Sequence, residues 1–316
     1  MNARLDSIET TTTGNSVTLA HNTFAHHAKS FRLAANFLPK ENLDDIAVLY
    51  HFCRLVDDAV DEAPTIEEAY GNLSEIDHLL RSEQSSELDT FKSVVYKHSI
   101  PMHAIKALME GCEGDLHPVR IDSLKDLSHY CYQVAGSVGE MMSPLLNVTS
   151  PEATQFAIDL GLGMQITNIC RDVLEDAERG RVYLPATWLH EYELTSESIL
   201  QKNVGVVDIA PIIDKMLSTA EVCYRRAYIG CRHIPFRSRL GILIARRVYR
   251  AIGLKLQSKH QSNPLHGRTM LSKWEKMWQV GLGFIDALNP VTLGWWRPAI
   301  PDSPMYNHID ELTSKE

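Results

Sequence analysis

Between residues 43 and 61, apolar side chains recur every third or fourth position on two adjacent faces. Ile46, Leu49, Cys53, Val56 and Val60 make one face, and Val48, Phe52, Leu55 and Ala59 the other. Between them runs a single narrow stripe: Ala47, Tyr50, Arg54, Asp57 and Asp61. The period is that of an α-helix with about 3.6 residues per turn. A second segment repeats the plan, with Leu162, Ile166, Ile169 and Val173 on one side and Gly163, Thr167, Cys170 and Leu174 on the other. Its stripe reads Gly161, Gln165, Asn168, Asp172 and Asp176. A surface helix carries a broad polar face, so a narrow polar seam on an otherwise apolar helix predicts burial with the seam lining an interior cavity.

The same period continues along the chain, with few alternating segments. Prolines at 39, 64, 101, 118, 144, 151, 185, 211, 235 and 264 fall at helix-sized intervals and read as punctuation. The pattern predicts an all-α protein of about a dozen helices. No Gly/Ser-rich linker or low-complexity stretch divides it, so one catalytic domain is expected over residues 21–290. Residues 1–20, with the threonine run Thr10–Thr13, read as a frayed tail, and 291–316 as a C-terminal extension. With 316 residues and 44% hydrophobic content, the chain can bury a large core.

A net charge of −9 without a basic cluster argues against nucleic-acid binding. No apolar run approaches the roughly 18 residues needed to span a bilayer. The segment LGWWRPAIP has two readings: Trp295 and Trp296 cover a core edge, which is the commoner role, or they dip into a bilayer interface as a peripheral membrane contact. Six cysteines without CxxC spacing read as reduced core residues of a cytoplasmic protein. Glu75 and His78 form a single ExxH, whereas a di-iron bundle needs two, so that helix reads as solvated surface. Gly136, Gly139, Gly161 and Gly163 each cost about 1 kcal/mol in a helix interior. They either permit close helix approach or leave room for a long ligand.

The chemistry lies in the two aspartate pairs. Asp57 with Asp61 and Asp172 with Asp176 are spaced i, i+4 and share a helix face. Carboxylates between apolar walls are costly to desolvate and repel one another, so a cation belongs between them. Arg54 and Arg171 supply some positive charge, but four acids and the Asn168 amide oxygen match a divalent metal better. Mg2+ takes one or two carboxylates plus substrate phosphates, with Mn2+ as a substitute, so the expected substrate carries phosphate. Arg54, one turn before Asp57, is placed to clamp phosphate oxygens or to pair with Asp57 or Asp58. Asp58 projects about 100° away from the stripe and is the weaker ligand candidate.

DDAVD, followed by GMQITNICRDVLEDAERGRVYLP, resembles the phytoene synthase and squalene synthase family of head-to-head prenyl transferases. HHAKSFRLAANFLP, YCYQVAGSVGEMMSP and RRVYRAIG agree with it, and the likeness runs from about His26 to about Arg268. The resemblance implies a helical bundle of the isoprenoid synthase type around a central cavity. It implies condensation of two prenyl diphosphates through a cyclopropylcarbinyl diphosphate to a C1-to-C1 hydrocarbon. It further places Ser30 and Phe31 at the first diphosphate, Tyr130 beside the reacting carbons, and Gln165 and Tyr249 near the second diphosphate. Arg268 becomes a phosphate ligand, and Tyr50 and Arg171 join the substrate-binding set. Tyr130 also fits a plain role as a buried tyrosine bonded to a carbonyl.

Alanines at 35 and 47 leave the implied tunnel long, which favours geranylgeranyl diphosphate and phytoene. Farnesyl diphosphate, giving dehydrosqualene, squalene or presqualene diphosphate, is the alternative. No GxGxxG follows a strand, so no NADPH is expected. A downstream desaturase is an expected partner. A class I terpene cyclase and a non-catalytic scaffold are the outside alternatives; the second would not need four acids.

Overall fold

The computed structural model describes residues 37–119, 121–148, 150–202, 205–305, 308 and 309. Among them there is no β-strand, and twelve α-helices follow in order. They are α1 (Lys40–Asp61), α2 (Ile66–Arg81), α3 (Asp89–His98), α4 (Met102–Gly114), α5 (Leu124–Cys131) and α6 (Ser137–Leu145). After these come α7 (Pro151–Glu178), α8 (Ala186–His190), α9 (Ser196–Leu200), α10 (Val206–Gly230), α11 (Phe236–His260) and α12 (Lys273–Ala287). A π-helical turn, Tyr132–Gly136, joins α5 to α6 without a break.

The two seamed segments are α1 and α7. On α1, Ile46, Leu49, Val56 and Phe52 are buried; on α7, Leu162, Ile166, Cys170 and Thr167 are buried, as their periodicity predicts. α7 packs most extensively on α10, and also on α6, α11 and the π-helical turn, which makes it the axis of the site.

Punctuation by proline is only partly right. Pro39, Pro101, Pro185 and Pro235 cap α1, α4, α8 and α11, and Pro151 opens α7. There the missing N–H costs nothing, because first-turn donors lack partners in any case. Pro144 and Pro211 instead lie inside α6 and α10. Around Pro211, the fully buried Ile209, Ile212, Ile213 and Met216 hold the turn, so tertiary burial overrides the local penalty.

Two glycines mark a close approach of backbones. A Cβ added at Gly139 would lie 2.3 Å from the Ala157 carbonyl oxygen, and one at Gly161 would lie 2.3 Å from that of Ala135. Each helix thus presses a glycine against the other's backbone.

All six cysteines are free and buried. Glu75 and His78 are solvent-exposed on α2, as expected. Part of the C-terminal extension is pinned: Met305 and Ile309 are fully buried, and Arg226 donates both to Asp159 (2.7 Å) and to the Pro301 carbonyl (2.7 Å). The core-edge reading of Trp295 and Trp296 is wrong, since they are 81% and 62% exposed. They sit in a turn past α12, where Val291 and Thr292 take the buried positions instead. No helix among the described residues is long and apolar enough to cross a membrane.

Candidate active site

A cavity of about 700 Å³ is lined by α1, the π-helical turn, α6, α7, α10, α11 and residues 268–271. Most of its wall is apolar, with Leu49, Val134, Met142, Phe156, Leu160 and Ile242. The polar lining includes Tyr50, Gln165, Asn168, Arg171, Tyr249 and Arg268. An apolar slot with a few convergent polar groups at one part of its wall suits a long apolar ligand with an anionic head.

Three residues of the α7 seam, Gly161, Gln165 and Asn168, line this cavity; Asp172 and Asp176 continue the stripe beyond its wall. The helix is kinked at Asp172, whose φ of −105° and ψ of 15° leave the helical region. Such breaks within a helix concentrate at functional positions. Arg171 grips the Asp172 carboxylate with Nε (2.7 Å) and Nη2. Arg268 approaches the same carboxylate at 3.2 Å and Glu175 at 3.2 Å. Two arginines of the cavity wall therefore meet on one aspartate. Asp176 has no such partner among the described residues: burial pushes its carboxyl up to about 7, the neighbouring Asp172 charge adds to this, and Arg181 and Arg179 oppose it.

On α1, Arg54 pairs with Asp58 through Nη2 and with Asp57 through Nη1 at 3.4 Å. Its Nε is buried and has no acceptor among the described residues. The weaker candidate of the pair, Asp58, thus takes the shorter of the two contacts. Cys112 Sγ donates to Asp57 at 3.4 Å. The Asp57 carboxyl is reachable by solvent yet enclosed by protein on most sides, and burial pushes it up to about 6 against the pull of Arg54. Asp61, the last residue of α1, is exposed rather than interior. Arg181 holds it at 3.2 Å and Arg179 at 3.4 Å, which ties the end of α1 to the loop after α7. The seam is therefore interior over its middle and opens toward solvent at its end.

Tyr130 does not bond a carbonyl. Its hydroxyl donates to Asp115 at 3.2 Å, Tyr183 donates to the other oxygen at 3.0 Å, and the two rings stack at 4.6 Å. Burial pushes the Asp115 carboxyl up and holds the Tyr130 hydroxyl well above its ordinary range. Tyr130 is not among the cavity-lining residues, and neither is Ala47. Ala47 is fully buried in the core cluster that includes Ile46, Val48 and Leu49. It lies one turn before Tyr50 but is rotated about 60° from it, enough to leave the wall. Ala47 therefore does not bound the cavity. Ser30, Phe31 and Ala35 lie outside the described residues.

Asp115, Tyr183, Arg179 and Arg181 were given no role from the sequence. The last three stand in or beside GRVYLP, a segment read only as part of a motif. Asp115 follows α4 with no pattern to mark it; only folding brings it to the tyrosines.

Among the described residues, no group of three or more acidic, histidine or cysteine side chains could hold an ion alone. The donor set still fits Mg2+, which needs only one or two carboxylates when phosphate oxygens complete its shell. Asp176 is enclosed beside Asp172, and Asp57 is enclosed near Asp61, so one carboxylate of each pair bears a charge that a bound cation would relieve. The unfilled Arg54 Nε and the cavity-lining arginines suit the accompanying anion.

Fold and site together define a helical enzyme of the isoprenoid synthase type. A family model described as squalene/phytoene synthase matches residues 24–275, and the chain belongs to that family. It is 35% identical over 257 residues to the phytoene synthase of Rhodobacter capsulatus, covering 79% of this chain and 76% of the relative. It is 35% identical over 243 residues to the 15-cis-phytoene synthase of Enterobacter agglomerans, covering 72% and 82%. The fold is shared with a solved dehydrosqualene synthase (TM-score 0.78, 24% identity, 86% of this chain and 96% of that one). It is shared also with squalene synthase HpnC from Alicyclobacillus acidocaldarius (TM-score 0.71, 20% identity, 78% and 94%).

Proposed function

We propose that the protein condenses two geranylgeranyl diphosphates head to head to phytoene, releasing two diphosphates without a nicotinamide reductant. The observation that carries this is the joining of a long apolar cavity to a rim of arginines and paired aspartates. The relatives named phytoene synthase support the choice of substrate.

Asp57 and Asp61 would hold Mg2+ at one diphosphate, and Asn168, Asp172 and Asp176 at the other. A cation held there would supply neutralisation of the charge that builds on the departing diphosphate. Arg54, Arg171 and Arg268 bind phosphate oxygens, orienting the C1 carbons toward the apolar wall. The wall keeps water from the allylic cation while the second substrate's double bond attacks it. The cation so formed loses a proton as the ring closes to a cyclopropylcarbinyl diphosphate; ionisation of that intermediate and ring opening, followed by loss of a second proton, complete the hydrocarbon. Asp115 orients Tyr130 and Tyr183 beside this region. Because the product is insoluble in water, peripheral contact with a membrane and hand-over to a desaturase belong to the same reading.

Incubation with Mg2+ and geranylgeranyl diphosphate, without NADPH, yields a forty-carbon hydrocarbon and two diphosphates per product. Chelation stops the reaction, and Mg2+ or Mn2+ restores it. A thirty-carbon product from farnesyl diphosphate alone would change the substrate, and no turnover with either would bring forward a scaffold role.

Chain length is set at the far wall. Ala157 lies 14 residues before Arg171 on α7, about 21 Å along the axis at 1.5 Å per residue. Ala157→Phe fills that end, so formation of the forty-carbon product falls at least about tenfold while farnesyl diphosphate is still accepted. Unchanged product length in this variant would place the tunnel end elsewhere.

A further inference from the structure

α12 is apolar on both sides. Its inner face packs on α11 through Val280, Gly283 and Ala287, and Arg247 grips the buried Asp286. Its outer face carries Trp274, Met277, Trp278, Phe284, Ile285 and Leu288, at the spacing of a continuous helical stripe, with Phe284 meeting Phe37 edge-on at 5.6 Å. Trp274 is 86% exposed and Ile285 is 64% exposed. Trp295 and Trp296, just past the helix, are exposed as well, so four of the five tryptophans stand in solvent in this one region. The fifth, Trp188, is buried.

The charges are sorted just as sharply. Between residues 273 and 300 the acidic side chains are the half-buried Glu275 and the buried Asp286 alone, in a chain with 40 acidic residues and a net charge of −9. Glu275 is turned to Lys255 and Lys259, and Asp286 to Arg247, while Lys273 and Arg297 are exposed. An exposed apolar helix face of this kind marks an interaction surface. Tryptophan with flanking cations, its few anions held in ion pairs, is the composition of a surface that enters the headgroup region of an anionic bilayer. A second copy of this acidic chain is the poorer match.

We propose that the outward face of α12, together with Trp295 and Trp296, docks the protein on a bilayer bearing anionic headgroups. Met270, Leu271 and Lys276, at the start of this region, also line the cavity, so the docked face adjoins a cavity wall. Delivery of a hydrocarbon into the bilayer rests on the proposed reaction; the docking does not.

The test is co-sedimentation of the full chain, without substrate, with vesicles of phosphatidylcholine alone or with roughly a third phosphatidylglycerol. Binding to the anionic vesicles is expected, weakened by salt, with tryptophan emission quenched by brominated lipid. The double variant Trp278→Glu/Ile285→Glu loses at least about tenfold in binding and loses the quenching, because it puts anions into the interface. Tyr96→Glu, at a residue 90% exposed on α3, leaves binding unchanged. Absence of wild-type binding to anionic vesicles overturns the proposal, as does binding that the double variant does not reduce. So does a concentration-dependent dimer that the double variant dissociates without any vesicle binding by the wild type. Turnover of detergent-dispersed substrate by the double variant, measured separately, reports on the reaction and not on the docking.

Discussion

Asp176→Asn abolishes turnover and leaves the protein as stable as before, or more so. The two halves of this outcome have one cause. Asp176 is enclosed beside Asp172, and no hydrogen bond to its carboxylate holds its charge among the described residues. In the free protein, that charge is a net cost, since desolvation and like-charge repulsion outweigh the pull of Arg181 and Arg179. In the working complex it helps hold the cation that neutralises departing diphosphate, a contribution of several kcal/mol. Removing it lowers kcat/KM by a factor of about 1000 or more, equivalent to roughly 4 kcal/mol in the barrier. The melting temperature is expected to hold or rise, the usual trade between stability and activity at such sites. Asp77→Asn, on α2 and paired with Arg81, leaves kcat/KM unchanged. An Asp176→Asn enzyme that retains full activity would remove this residue from the metal-binding set.

The sequence carried the helices and their buried faces, because a period near 3.6 residues survives any tertiary arrangement. It also marked several of the polar residues that line the cavity. Gln165, Asn168, Arg171, Tyr249 and Arg268 all line the cavity as expected from the motifs. What it could not carry was set by rotation and partnership. Ala47 misses the cavity by a fraction of a helical turn, a difference that a stripe drawn on an ideal helix cannot resolve. Asp172 lies at a kink, so its direction relative to Asp176 departs from the stacked pair that the i, i+4 spacing implies. Asp115 finds Tyr130 and Tyr183 across 15 and 68 positions of sequence, with no periodicity to link them. The outward tryptophans of α12 were missed for a further reason: periodicity marks an apolar face without saying whether protein or something else covers it. The charge sorting around that face becomes visible only when exposure is known.

Gly161→Ala lowers stability although alanine is the better helix former. Propensity alone predicts a gain of about 1 kcal/mol for glycine to alanine in a helix interior. At Gly161 the new methyl would stand 2.3 Å from the Ala135 carbonyl oxygen and 2.7 Å from its carbon. Both are backbone atoms, which no rotamer change can move. Relief requires separating α7 from the π-helical turn, along the line where Gly139 presses reciprocally on the Ala157 carbonyl. Overpacking of this kind costs about 3 kcal/mol or more, so the melting temperature falls by roughly 5–10 °C. Gly161 and Gly139 also line the cavity, so separating the helices distorts the substrate channel and activity falls with stability. Gly71 is the internal control: it lies within α2 with nothing within 4 Å of an added Cβ. Gly71→Ala should raise stability by about 0.5–1 kcal/mol, which opposes the sign at Gly161 with identical chemistry. Thermal unfolding of the two variants side by side separates close packing from propensity. If both were stabilising, the helix approach at Gly161 would be looser than 2.3 Å implies.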